Sequence, residues 1–79
     1  MNVKVLGPTT KKILKAEWID AKTTTGSYLI LPGHEPLIVQ LIPQTPLSLG
    51  LAGGAVSTIP IQQGILQVNR RDVTIILDE

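Results

Sequence analysis

Cysteine is absent from this chain, and histidine occurs once, at His34. Without cysteine there can be no disulfide and no thiolate metal site. A single histidine and six acidic residues supply too few ligands for a dedicated transition-metal site. With 79 residues, the sequence predicts one domain over residues 1–79 that holds no metal and no cofactor and is stabilised by its core alone.

Phenylalanine is also absent, and tryptophan and tyrosine occur once each. Seven basic residues against six acidic ones leave a formal net charge of +1. This balance and the scarcity of aromatic rings argue against nucleic acid as a partner. The longest apolar runs have about four residues, far fewer than the ~20 of a membrane helix, and the N-terminus has no signal-peptide core. These absences predict a soluble intracellular module without a membrane span.

The apolar content is high for so short a chain, at 43% with a mean hydropathy of +0.27. A domain of this size leaves a large share of its surface exposed and cannot hide every apolar residue. Two explanations stay open at this point. Either the chain has a rich two-layer core, or part of its apolar surface is reserved for a partner.

Residues that interrupt secondary structure alternate along the chain with residues that favour β-strands. Six prolines and seven glycines are spread through it, so no long stretch is typical of a helix. Valine, isoleucine and threonine dominate between the breaks. Asn2–Leu6 alternates like a strand, and residues 11–24 predict two short strands or one bent strand. Roughly eight to ten short strands with closely spaced turns predict an all-β sandwich or flattened barrel.

The stretch 26–33 predicts a short strand that runs into a turn. Pro32 and Gly33 suit the central positions of a type II turn, because proline fixes φ at about −65° and glycine accepts a positive φ. The next strand, 37–42, is apolar on both faces, with Val39 on one and Ile38 on the other. Such a strand is either covered on both sides or keeps one face for a partner.

Two hairpins are predicted in the second half. The Gly-Gly pair at 53–54 predicts a two-residue primed turn, and in that register Leu49 pairs with Thr58. One face of this hairpin carries a leucine stripe that we expect in the core, while the opposite face carries only small residues that either face water or let another backbone approach. The stripe consists of Leu47, Leu49 and Leu51. The last hairpin is predicted to join strands 65–68 and 73–77.

His34 lacks the partners that catalysis requires. A catalytic histidine needs a nucleophile and an orienting carboxylate within hydrogen-bond reach. Glu35 is adjacent, but consecutive residues of an extended chain point to opposite sides. The sequence has no Gly-x-Ser-x-Gly elbow, no P-loop and no Gly-x-Gly-x-x-Gly turn. We therefore predict no catalytic residue and no small-molecule substrate, and we expect His34 to shape a turn or to form a contact.

Five other residues stand out. Lys22 invites comparison with lipoyl and biotinyl carriers, which display one lysine at a hairpin tip between two symmetric halves. Lys22 lies instead in an early β-rich run, so this interpretation is not favoured. The Arg-Arg pair at 70–71 predicts a solvated turn. We expect Trp18 to lie in the core or to be half-buried beside the leucine stripe. We expect Tyr28 to lie at the edge of the core or to form an exposed contact.

The segment GSYLILPGHEPLIVQLIP, residues 26–43, resembles the signature of the epsilon subunit of rotary F-type ATP synthases. The family pattern there is Gly-Glu-Leu-Gly-Ile-x-Pro-Gly-His-x-Pro-Leu, followed by an apolar strand. The residues in register are Gly26, Ile30, Pro32, Gly33, His34, Pro36, Leu37, Leu41 and Pro43. The C-terminal stretch 62–79 and the first hairpin are also similar to the family, so the resemblance covers the whole chain.

The resemblance implies a flattened ten-stranded β-sandwich, the amino-terminal domain of that subunit, with no active site. In the family this domain belongs to the central stalk of the rotor, where it joins the gamma subunit to the c-ring and couples ion-driven rotation to ATP synthesis. It implies a place on the cytoplasmic side of the inner membrane, or the equivalent organelle compartment, in a peripheral complex. The expected c-ring contacts are Gly26, Ser27, Tyr28, Leu29 and Leu31. The expected gamma contacts are His34, Glu35, Pro36 and Ile38.

Three departures from the family pattern bear on these expectations. Ser27 replaces the usual glutamate and Leu29 the second glycine, so the c-ring contact would differ in charge and shape. Family members usually continue into a two-helix hairpin that can inhibit ATP hydrolysis, whereas this sequence stops at Glu79, so we expect no such inhibition from it. The alternative is an unrelated β-sandwich adaptor or ligand-binding module with similar turns.

Overall fold

The computed structural model describes residues 1–78 of the chain. In this range it consists of two β-sheets packed face to face, with one short 3₁₀ turn at Ala52–Gly54. The strands are β1 Asn2–Leu6, β2 Lys11–Lys15, β3 Trp18–Thr23, β4 Gly26–Ile30, β5 Leu37–Gln40, β6 Leu47–Gly50, β7 Val56–Ile59, β8 Gly64–Val68 and β9 Asp72–Leu77. The all-β sandwich that the sequence predicts is confirmed.

Strand order defines the two sheets. Sheet A has the order β2-β1-β9-β8-β5, and sheet B has the order β4-β3-β6-β7. All neighbours are antiparallel except β1 and β9, which pair in parallel although they come from opposite ends of the sequence. An isolated antiparallel bridge from Thr23 to Leu41 joins the sheets at one corner. The described residues thus form nine strands and this bridge, compared with the ten strands that the resemblance implies.

The core lies between the sheets and follows from the period of two in each strand. In β1, for example, Val3 and Val5 are buried while the residues on either side of them face outward. Val73 and Ile75 of β9 are equally buried, as expected from the alternation of that strand. The buried apolar residues are Val3, Val5, Ala16, Ile19, Ala21, Ile30, Val39, Leu41, Leu47, Leu49, Ile61, Leu66, Val68, Val73 and Ile75.

Residues 11–24 form two strands because the chain changes sheets in the middle of this stretch. Ala16 is buried at the crossing, and its backbone N–H and carbonyl both bond to Met1, at 3.0 and 2.9 Å. The next backbone N–H, of Glu17, donates to the carbonyl of Gly50 in sheet B at 2.7 Å. The first of the two predicted alternatives, two short strands, is therefore correct.

The hairpin between β6 and β7 forms in a register that differs from the predicted one by one residue. Leu49 pairs with Ser57, where Thr58 was expected. The two-residue turn is wrong because the connection is longer: the Leu51 N–H donates to the carbonyl of Ala55 at 2.7 Å, across Gly53 and Gly54, which both have positive φ. The leucine stripe is nevertheless placed as predicted at Leu47 and Leu49, which are buried, and Leu51 is half-buried.

Antiparallel pairing gathers the loops at two ends of the sandwich. The β1–β2, β3–β4, β5–β6 and β7–β8 connections lie at one end, here called the Thr24 end. The β2–β3, β4–β5, β6–β7 and β8–β9 connections lie at the other, the His34 end. Each end therefore offers a loop surface, and each sheet offers an outer face.

Candidate interaction surfaces

The β3–β4 turn at the Thr24 end is held by the hydroxyl of a buried threonine. Thr23 is 2% exposed, and its Oγ1 donates to the carbonyl of Gly26 at 2.7 Å. The same oxygen accepts the backbone N–H of Thr25 at 3.1 Å. Thr25 Oγ1 also lies 3.1 Å from the Tyr28 hydroxyl. These bonds fix the turn from inside, so the exposed Gly26 and Ser27 are presented by an ordered backbone.

The five predicted c-ring residues are spread along the whole of β4. Gly26 and Ser27 are exposed at the Thr24 end, and Leu29 is 60% exposed on the outer face of sheet B. Tyr28 points the other way and packs half-buried against the core. Leu31 is 50% exposed, but it lies beyond the far end of β4, about 17 Å from Gly26 at the usual strand rise. A partner that binds at one end of the sandwich can therefore contact only some of the five predicted c-ring residues.

The Pro-Gly turn forms as predicted at the His34 end. The N–H of His34 donates to the carbonyl of Leu31 at 3.1 Å, across Pro32 and Gly33. Gly33 has a φ of 82°, the positive value that the third position of a type II turn requires. Beyond the turn, the Nδ1–H of His34 donates to the carbonyl of Glu35 at 2.8 Å. His34 therefore helps to shape its own loop, the first of the two roles expected of it, while its role as a partner contact stays a prediction.

Gly33→Ala is expected to lower the free energy of unfolding by about 1–2 kcal/mol, because an L-residue with a β-carbon resists a left-handed backbone. Open space surrounds the position of the added carbon, so the loss would come from the backbone and not from a clash. Urea unfolding measures it. Gly33→Asn is the matched control and should lose less, because asparagine tolerates positive φ. Equal losses for both variants would contradict this explanation.

The two predicted contact sets meet in this loop. Leu31, expected to contact the c-ring, and His34, expected to contact gamma, are joined by one hydrogen bond. Glu35 and Pro36 are exposed in the same loop, and Ile38 follows on the outer face of sheet A with 70% of its surface exposed. The structure thus brings the four predicted gamma residues together at the His34 end and adds Leu31 to them.

Trp18 packs against Gly50 on the outer face of sheet B. Gly50 pairs with Trp18 across β3 and β6, and a β-carbon on Gly50 would overlap the indole ring. Leu31 and Val56 flank this pair on the outer face of sheet B and are 50% and 60% exposed. Gly50 therefore makes room for a side chain of the same molecule, but the predicted face of small residues does not form, because the shifted register pairs Ser57 with the buried Leu49 and puts Val56 on the outer face. The prediction for Trp18 was a core residue or a half-buried position, and no sequence signal pointed to Gly50 as its partner.

Sheet A also has exposed apolar residues on its outer face. Ile65 and Ile76 pair across β8 and β9 and are each 44% exposed. With Ile38 on β5 they surround a concavity of about 520 Å³. The rich core of the first explanation is present, and several large apolar side chains also remain on the surface, where the second explanation, a surface reserved for a partner, stays a prediction.

No cluster of metal ligands is found among residues 1–78. This range contains no group of three or more histidine, cysteine, aspartate or glutamate side chains that could hold a metal ion. It also contains no helix long and apolar enough to cross a membrane. What the described residues provide is two loop ends and two sheet faces with exposed apolar groups.

Comparison with known sequences and structures identifies the family. The profile of the ATP synthase delta/epsilon chain β-sandwich domain matches residues 1–79, and the chain belongs to this family. It is 34% identical over 64 residues to the ATP synthase epsilon chain of Corynebacterium aurimucosum and 35% identical over 60 residues to that of Corynebacterium jeikeium. The resemblance stated from residues 26–43 is thereby confirmed.

Solved structures show the same fold. A chain of the Euglena gracilis mitochondrial ATP synthase, in a structure of OSCP, F1 and the c-ring, is similar with a TM-score of 0.86 and 26% identity, over 95% of this chain and 48% of that one. A chain of the Tetrahymena thermophila mitochondrial ATP synthase central stalk and c-ring is similar in fold, with a TM-score of 0.79 and 17% identity, over 100% of this chain and 63% of that one. The chain spans about half the length of the curated relatives it matches, 52% and 49% for the two Corynebacterium proteins.

Proposed function

We propose that this chain is a non-catalytic epsilon-type subunit domain of a rotary ATP synthase that joins the gamma subunit to the c-ring. The observation that carries the proposal is the family match over residues 1–79 together with relatives that are ATP synthase epsilon chains. In this role the domain transmits rotation driven by ion flow and contributes no reacting group. It lies in a peripheral complex next to the membrane, on the side from which the central stalk projects.

The geometry supports a different partner for each of the two loop ends of the sandwich. The Thr24 end presents Gly26 and Ser27 on a turn that is fixed by Thr23, which suits a contact with a small polar loop. The His34 end presents a braced loop with exposed Leu31 and Glu35. A domain that couples two partners under torque needs two separate and rigid attachment surfaces, and the ends of the sandwich meet this requirement. We assign the Thr24 end to the c-ring and the His34 end to gamma.

Cross-linking tests this assignment directly, because the chain has no native cysteine. A Ser27→Cys variant, assembled with gamma and a c-ring that carries single cysteines in its polar loops, is expected to form a disulfide with the c-ring. Ala52→Cys is the matched control: it is also exposed on a turn, but at the His34 end, and it should not cross-link to the c-ring. The products are separated by size and identified by mass spectrometry.

Two results would count against the proposal in different ways. If the purified chain does not bind gamma from the same source at all, the stalk function is wrong. If it binds gamma but Ala52→Cys reaches the c-ring and Ser27→Cys does not, the function stands and the orientation is reversed. Both substitutions lie at exposed positions away from the core, so each should change the free energy of unfolding by no more than about 0.5 kcal/mol.

A further inference from the structure

Trp18 and Asp20 stand side by side on the outer face of sheet B, because they are two residues apart on β3 and the residue between them is buried. Asp20 pairs with Leu29 on β4. The same register, continued by one residue past the end of β4, sets Leu31 opposite Trp18. An aromatic ring, a carboxylate and two exposed leucine side chains are therefore neighbours on this face.

The Trp18 indole lies flat over Gly50, which is on the side of β3 away from β4. A β-carbon added to Gly50 would meet Nε1, Cε2 and Cδ1 of the ring at once. These three atoms belong to the five-membered ring, so that ring covers the glycine with one of its faces and turns the other face towards solvent. Trp18 is accordingly half-buried. A free indole face attracts a cation, because the ring quadrupole is negative there.

A depression of about 310 Å³ opens beside the indole, on the β4 side. It is lined by Trp18, Asp20, Leu29 and Leu31, so a single carboxylate stands among apolar side chains. Neither a hydrogen bond nor an ion pair to Asp20 forms within residues 1–78. The depression thus offers an unpaired negative charge in partly apolar surroundings, where an ion pair is screened less than between fully exposed groups.

The cation that faces this region from β3 is Lys22, two residues beyond Asp20. Its side chain is exposed, and it forms no ion pair with Asp20 in the described part of the chain. Lys22 pairs with Ser27, so it stands on the far side of Asp20 from Trp18 and does not line the depression. Its charge repels a cation bound at Asp20 and therefore lowers the affinity of the site without occupying it.

The geometry favours arginine among the possible cations. A lysine ammonium is compact and strongly hydrated, whereas a guanidinium is planar, is more weakly hydrated, stacks on aromatic rings and offers a fork of donors to a carboxylate. Quaternary ammonium groups are typically bound in cages of aromatic side chains. This chain has one tryptophan and one tyrosine, and Tyr28 points to the opposite face of sheet B and packs against the core. A single ring beside a single carboxylate suits a planar cation.

We propose that the depression beside Trp18 binds the side chain of an arginine on a partner protein. The guanidinium stacks on the indole and donates to the Asp20 carboxylate, while the methylene stem packs on Leu29 and Leu31. These two leucines are also among the expected c-ring contacts, so the site overlaps a surface already proposed to meet a partner. Which subunit supplies the arginine rests on the proposed stalk function, whereas recognition of arginine by these four residues does not.

The probe is the blocked tripeptide acetyl-Gly-Arg-Gly-amide, titrated at millimolar concentrations into the isotope-labelled 79-residue chain and followed by NMR. We expect shifts at the indole N–H of Trp18, at the amide of Asp20 and at the methyl groups of Leu29. The same peptide with citrulline, a neutral group of similar shape, should bind at least about fivefold more weakly. The lysine peptide should bind at least about twofold more weakly.

Variants of the chain separate the two halves of the site. Asp20→Asn keeps the shape and removes the charge, and it should weaken binding of the arginine peptide at least about threefold. Trp18→Leu should have a similar effect, and Trp18→Phe, which keeps an aromatic face, a smaller one. Lys22→Gln should strengthen binding. Asp72→Asn is the matched control, because it removes an exposed carboxylate from sheet A and should leave the affinity unchanged. Far-ultraviolet circular dichroism verifies that each variant keeps the fold.

Several outcomes would overturn the proposal. Equal affinity for the arginine and citrulline peptides would show that the charge is not recognised. The same loss in Asp72→Asn as in Asp20→Asn would reduce the binding to general electrostatic attraction, and an absence of shifts on sheet B would remove the site. Tetramethylammonium bound as tightly as the arginine peptide would assign the depression to quaternary ammonium groups. Each of these results leaves the stalk function untouched, because that function is tested separately by binding to gamma.

Discussion

Leu49→Ala is expected to lower the free energy of unfolding by about 2–5 kcal/mol, the usual loss for a buried leucine. Leu49 is fully buried between the sheets and pairs with Ile19 and Ser57 on its two neighbouring strands. Because neighbouring strands pack against Leu49 on both sides, the surrounding side chains can move little to fill the cavity that alanine would leave. In a small domain with modest total stability, a loss of this size is a large part of the whole. Urea unfolding followed by circular dichroism gives the value.

Leu29→Ala is the matched control for this substitution. It removes the same atoms from a strand of the same sheet, but Leu29 is 60% exposed on the outer face. Its effect should stay within about 0.5 kcal/mol. A Leu49→Ala variant as stable as Leu29→Ala would contradict the assignment of Leu49 to the core. The same pair would also separate the effects of packing from any role of Leu29 in binding a partner.

Gly50→Ala should destabilise the fold by about 1–3 kcal/mol, as overpacking of a close contact does. The added β-carbon would overlap the Trp18 indole, which lies directly against Gly50, so the ring must leave its position. The emission of the single tryptophan should shift to longer wavelength as the ring gains solvent. Unfolding in urea and the fluorescence spectrum of the native protein together measure the effect.

A double-mutant cycle tests whether the loss of stability in Gly50→Ala comes from the contact between Gly50 and Trp18. In a Trp18→Ala background the indole is gone, so Gly50→Ala should be nearly neutral, and the difference between the two backgrounds is the coupling energy. The same loss in both backgrounds would instead locate the cause in the backbone of β6. Since φ of Gly50 is not in the left-handed region, the strand itself accommodates an L-residue and the coupling should dominate.

The turns were the part of the fold most accessible from sequence. Pro32 and Gly33 form the predicted turn because both residues restrict the backbone locally, and no distant group has to agree. The alternation in β1 and β9 also identified buried residues correctly, because a strand with one buried face has to repeat every two residues. Turn propensity gave the wrong result at 53–54, because the Gly-Gly pair is part of a longer connection and the register of the hairpin shifts by one residue.

The candidate surfaces were less accessible than the turns. The family resemblance directed attention to residues 26–38, and the structure shows that these run along the edge strand β4 of sheet B, through the loop at the His34 end and into β5 of sheet A.

Short strands, local turns and a strong apolar alternation were enough to predict an all-β sandwich from the sequence. Which strands became neighbours followed only from the fold, including the parallel pairing of the first strand with the last and the placing of Trp18 over Gly50. The physical reason is that periodicity and turn propensity act over a few residues, whereas strand pairing depends on packing between residues far apart in the chain. Surfaces for partners arise from that second level, because they combine side chains from several strands.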